Sequence, residues 1–135
     1  MKDQVTSIGQ LKRLIELGVP AEKASMVWEM DEDCARLKIW NTDKETRRVL
    51  HNKYPNYYVP AFTVVDLLGM IKPIDIGPDT CNPCLEKRGN EGEWRFEFGQ
   101  ILGDEDFGYA FNHSLIDLLA DRIEWIVSNG YGLNL

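Results

Sequence analysis

Between Glu93 and Gly130 the spacing of apolar residues changes, and that change limits what the chain can fold into. In "EWRFEFGQIL", Trp94, Phe96 and Phe98 fall on one side while Arg95, Glu97 and Gly99 fall on the other. A period of two is the mark of a strand. In "SLIDLLADRIEWIVSNG", Leu115, Leu118, Leu119, Ile123 and Ile126 recur along one helical face, with Asp117, Asp121, Glu124 and Ser128 opposite. Ser114 is placed to cap this helix and Gly130 to end it. Between the two segments, "GDED" (103–106) reads as a turn. "FGYAF" then reads as the returning strand, with Phe107, Tyr109 and Phe111 set against Gly108 and Ala110. The expected result is an aromatic hairpin, stabilised by cross-strand ring pairs, under a helix.

The first 73 residues hold the same two periods. Ile8, Leu11, Leu14 and Ile15 share a helical face in "TSIGQLKRLIELG", where Ser7 and Gln10 have capping-box spacing and Gly18 suits the end. Pro20 suits the first position of a second helix over "AEKASMVW". "ARLKIW" alternates Ala35, Leu37 and Ile39 with Arg36, Lys38 and Trp40, as a half-buried strand should. "NTDK" supplies a turn and "ETRRVLH" a returning strand, which predicts a hairpin over 34–51. "KYPNYYVP" reads as an extended crossing, since its prolines do not suit a central strand. "FTVVDLLGMI" reads as a helix capped by Thr63, with Asp66 in its first turn and Val64, Leu67, Leu68 and Ile71 buried. Pro73 stops it. Residues 72–93 carry Gly, Pro, Asn and charge without a period, which is loop composition. These segments predict the α+β class, in the order α-α-β-β-α-β-β-α. They form one domain over 1–135, with an antiparallel sheet and helices packed on one of its faces.

Composition narrows the function classes. A chain of 135 residues, 44% of them hydrophobic, fits a single core. It has no apolar run long enough to span a bilayer, and "MKDQVTSIGQLKRLIEL" lacks the features of a signal peptide. A cytoplasmic protein with no membrane contact is expected. The formal net charge of −7 disfavours general nucleic-acid binding. The acidic clusters "EMDED" (29–33) and "GDED" read as solvated turns, or as an acidic face for a basic protein partner. The expected partner is an unidentified protein, and homo-oligomerisation is left open separately.

The order "QLKRLIELGVPAEKASMVW", then "YYVPAFTVVDLLGMIKP", then an aromatic hairpin and a closing amphipathic helix, resembles a family of small uncharacterised proteins. They are encoded by phages, prophages and mobile elements of gut bacteria. The resemblance covers most of the chain outside 72–93 and rests on structural motifs. It implies no catalytic residues, and "CNPC" is not part of its pattern.

Two side-chain groups could carry chemistry. Cys81 and Cys84 have the spacing of half a tetrahedral zinc site, with Cys34 and His51 as candidates for the other half. A zinc-stabilised module is one reading, and two thiols in a loop is the other. Redox work is disfavoured because no strand-to-helix junction surrounds the pair. The segment 44–58 places Arg47, Arg48 and Lys53 beside Tyr57 and Tyr58, which could hold single-stranded nucleic acid by charge and stacking. The competing reading is a charged strand edge followed by core tyrosines. No phosphate loop, nucleophile elbow or metalloprotease motif occurs, so no enzyme is expected. The reading that remains is a small acidic accessory factor. It works through protein contact, by an acidic face or by the 72–93 stretch.

Overall fold

The computed structural model describes residues 4–88, 92–99 and 107–135. Its helices and antiparallel sheets make an α+β protein, as the two periods require. The chain divides into two compact units, Met1–Asp66 and Leu67–Leu135. The "GDED" segment lies outside the described residues.

In the first unit, α1 (Ile8–Glu16) begins at a complete capping box. The Ser7 hydroxyl accepts from the Gln10 amide at 3.1 Å, and the Gln10 side chain accepts from the Ser7 amide at 2.9 Å. Leu11 and Leu14 are its buried residues, and Gly18 follows with φ +96°. The second helix expected over "AEKASMVW" does not form. Pro20 leads into a single 3-10 turn, Ala21–Lys23, and the chain then extends as β1 (Met26–Met30). "MVWEM" holds β-branched Val27 and aromatic Trp28 at its middle, which suit a pleated strand better than a helix.

β2 (Ala35–Ile39) pairs antiparallel with β1, not with "ETRRVLH". That segment is instead α2 (Lys44–Lys53), because Asp43 caps it by accepting from the Thr46 amide at 2.7 Å. β3 (Tyr58–Ala61) pairs with the other side of β1, giving the order β2-β1-β3. Pro60 is therefore inside a strand, but on an outer edge, where its missing N–H costs no ladder bond. The helix from Thr63 forms as expected as α3 (Val64–Met70). Thr63 and Asp66 exchange backbone-to-side-chain bonds at 2.9 and 3.1 Å. Its buried residues are Leu67 and Met70, while Leu68 is exposed.

In the second unit the expected 72–93 loop is largely strand. β4 (Ile74–Ile76) and β5 (Asp79–Cys81) form a hairpin around Gly77-Pro78, with Gly77 at φ +57°. β6 (Pro83–Arg88) pairs with β7 (Glu93–Phe98), which pairs in turn with β8 (Ala110–Asn112). Turn residues surround these short strands and mask their period in sequence. The β7–β8 register sets Phe96 opposite Ala110 and Arg95 opposite Phe111. The directly opposed pairs of β7 and β8 therefore set rings against small, polar or charged side chains, while Phe98 meets the ring of Phe107 at 6.1 Å beyond the end of β8. Further aromatic contacts gather on Trp125 of the closing helix α4 (Leu115–Ser128). Phe98 lies 6.0 Å from Trp125 at 27° between planes, and Phe107 lies 5.4 Å from Trp125. Leu118, Leu119, Ile123 and Ile126 are buried as the stripe predicts. Each such residue contributes about 1.5–3 kcal/mol of hydrophobic stabilisation.

The α2 cap gives a pH prediction. Hydrogen bonds from the Thr46 backbone N–H and side chain, with a smaller contribution from the charge of Arg47, hold the Asp43 carboxyl below the usual carboxylate range. A depressed folded-state pKa means that the cap's support is complete above the unfolded value, about 3.9. The support is lost as pH falls through the lower folded value. Amide shifts of α2 followed by NMR should track this loss, and Asp43→Asn, which caps without charge, should flatten it.

Candidate functional site

The four residues considered for zinc lie on four separate segments of the chain. Cys34 is exposed in the β1–β2 turn, Cys81 is buried at the end of β5, and Cys84 is exposed in β6. His51 lies on α2 with Nδ1 3.0 Å from the Tyr58 carbonyl oxygen. A metal-gripping CxxC needs a tight turn that aims both sulfurs at one point. Here the two cysteines sit in strands of different sheets. Among the described residues no three His, Cys, Asp or Glu side chains are grouped so as to hold a metal ion.

The basic-aromatic segment is also changed by the fold. Arg47 turns inward: Nε donates to Thr42 O at 3.0 Å, and the two terminal nitrogens donate to Glu22 O, Ala24 O and Trp40 O at 3.3, 2.9 and 3.0 Å. Its guanidinium also lies over the Trp40 ring. This arginine is spent on backbone carbonyls and is not offered to a phosphate. Arg48 is exposed, 3.9 Å from Glu45, and Lys53 lies over Tyr54. Tyr57 meets half-buried Tyr58 edge-to-face at 4.7 Å. The tyrosines thus pack on one another.

A cleft of about 470 Å³ opens in the same unit, lined mainly by apolar side chains of α1 with Met30 and Val59, and by His51. The most distinctive chemistry of the unit lies in its sheet edges. Trp40 N donates to Ser25 O, and Asp31 N donates to Cys34 O. With the β1–β2 register, these bonds fix the phase of the ladder. The even residues of β2 turn their backbone groups to β1, and Ala35, Leu37 and Ile39 turn theirs outward.

The two outer edges differ. On β3, Tyr58 N donates to Tyr54 O, its carbonyl meets His51, and Pro60 has no N–H. Phe62, one step on, donates to the Thr6 hydroxyl and accepts from the Thr6 amide. That edge is closed. On β2 the Ile39 carbonyl accepts from Asn41 N. Among the described residues the outward groups of Ala35 and Leu37 and the Ile39 amide have no partner. Leu37 is half-buried against Val5, Met26 and Ala61, and Arg36 and Lys38 are exposed, as the alternation predicts, but the far end of the strand departs from it. Trp40 is buried, 4% exposed, on the face of Arg36 and Lys38, while Ile39 is 75% exposed on the face of Ala35 and Leu37. Alternation made the strand visible in sequence, and the cations at 36 and 38 are the local sign of an edge.

No family model, curated protein or solved structure matches the chain. Among the described residues no helix is long and apolar enough to cross a membrane.

Proposed function

We propose that this chain is a non-catalytic accessory protein of a phage or mobile element that acts by contact with another protein. Its contact surface is the outer edge of β2, which takes up an extended segment of the partner as a further strand. One observation carries the reading: of the two edges of the first sheet, β3 is closed by Pro60, His51 and Thr6, and β2 is open at Ala35, Leu37 and Ile39. A row of unpaired donors and acceptors templates an incoming strand. Each bond formed adds about 0.5–1.5 kcal/mol net. Exposed Ile39 adds apolar area that is in water in the free chain. The setting in a mobile element rests on the resemblance of segment order.

Ile39→Pro tests this directly. The Ile39 amide points away from β1, so proline there removes a docking donor and no ladder bond, as Pro60 does on β3. Proteins captured from cell lysate by the immobilised chain should be lost with Ile39→Pro. Adding the captured protein should slow hydrogen exchange at the Ala35, Leu37 and Ile39 amides. Equal capture by the variant, with exchange at those amides unchanged, would remove the β2 edge as the contact surface.

A further inference from the structure

We infer that the segment received by β2 alternates apolar and acidic residues. It sets carboxylates opposite Arg36 and Lys38, and apolar side chains opposite Ala35, Leu37 and Ile39. The inference rests on the strand-addition reading above and deepens it. Its basis is the charge and phase of the edge. Because 35, 37 and 39 carry the outward hydrogen-bonding groups, an antiparallel newcomer would pair with 36 and 38 in the non-hydrogen-bonded positions. Those positions bring side chains closest, so charge is read most sharply there. On that face of the sheet Glu29 is the one carboxylate among the paired strands, and it already holds Lys38 at 3.0 Å. Arg36 is exposed and makes no ion pair among the described residues. A cationic excess is left at the edge of a chain whose net charge is −7.

The same geometry disfavours antiparallel pairing with a second copy. Three antiparallel registers of β2 against itself pair two or more outward residues. Centred on Leu37, the pairing sets Arg36 against Lys38 twice. Centred on residue 36 it sets Arg36 against Arg36, and centred on 38, Lys38 against Lys38. Each of these three registers places cation on cation, which is destabilising at cross-strand distance. The two basic residues therefore disfavour the chain's own edge in antiparallel pairing and accept an acidic one. Asp31, Glu32 and Asp33, exposed in the adjoining turn, repel carboxylates beyond that end of β2 and confine the acidic positions to those facing 36 and 38.

Three capped heptapeptides make the test: Thr-Val-Glu-Val-Glu-Val-Thr, its twin with Lys for Glu, and its twin with Thr for Glu. Binding is read by amide shifts on titration to millimolar peptide. The Glu peptide should perturb Ala35, Leu37 and Ile39 and bind on the order of tenfold tighter than the Lys peptide. Arg36→Glu, at an exposed site outside the core, should remove or reverse that preference, and Ile39→Pro should abolish binding. Equal binding of the Glu and Thr peptides at β2 overturns the acidic preference and leaves strand addition standing. If none of the three peptides perturbs the β2 amides, both readings fall. If these amides shift with protein concentration alone, and Ile39→Pro abolishes the shift, the occupant is a second copy and the inference is overturned.

Discussion

Arg47→Ala should lower the free energy of unfolding by about 2–4 kcal/mol, read from chemical denaturation monitored by tryptophan fluorescence. The size follows from what the guanidinium holds. Thr42, Trp40, Glu22 and Ala24 each lend it a backbone carbonyl. Those carbonyls belong to the 3-10 turn, its exit into β1, and the link from β2 to α2. α2 has no buried residue of its own, so it has no apolar stripe to hold it down. Alanine would leave four acceptors to find other donors and would strip the cation from the buried Trp40 ring. Arg47→Lys keeps the charge but not the planar fork, and should recover less than half of the loss. Arg48→Ala, one residue away on the exposed side, should be nearly silent, because its 3.9 Å contact with Glu45 is a surface pair. An Arg47→Ala chain as stable as Arg48→Ala would show that the carbonyls are equally well served by water.

Arg47 also explains why part of this fold was hidden in the sequence. Hydrophobic period finds elements that bury a face of their own. It found α1, α3, α4 and β7, whose caps and stripes are local. α2 has no fully buried residue and is held mainly by polar side chains, His51 on Tyr58 O and Arg47 on carbonyls up to 25 residues away. No window of "KETRRVLH" contains that information. The Asp43-x-x-Thr46 cap was legible, and it is the signal that should have outweighed the strand reading. The expected helix over "AEKASMVW" failed for a related reason. Val27 is buried because β2 and β3 flank it on both sides, a fact of topology rather than of spacing.

The candidate site was half visible on the same terms. Alternation at 35–39 is a local pattern and appears in the sequence. Which side of β2 stays open depends on β1 being its partner and on β3 lying beyond β1. Exchanging "MVWEM" for "ETRRVLH" as the partner leaves no basis for finding the open edge or the phase of its backbone groups. The zinc half-site was legible only to a similar extent. A CxxC pattern fixes separation along the chain, and convergence depends on a turn that "CNPC" does not make, since Cys81 closes one strand and Cys84 lies in the next.

Gly108→Ala should cost about 2–4 kcal/mol, the sum of a backbone and a steric penalty. Gly108 has φ +65°, where a side chain is strained by itself. A Cβ built there would lie 2.7 Å from the Phe98 ring and 3.3 Å from Trp125. Neither ring has room to retreat. Phe98 is fully buried and stacks on Trp125, while Phe107 and Tyr131 each lie within 6 Å of Trp125. The glycine itself is fixed from the other side, because buried Arg122 donates to Gly108 O at 3.1 Å while pairing with Asp121. The two penalties can be separated. Phe98→Leu removes the ring edge that the new methyl meets but leaves φ unchanged. The double variant should therefore be less unstable than the two single losses together, by about 1 kcal/mol. Strict additivity would mean that the whole cost lies in the backbone and that the ring yields freely. A stable Gly108→Ala chain would mean that the 107–109 segment relaxes away from α4, and the stacked near-ultraviolet signal of Trp125 should then be lost.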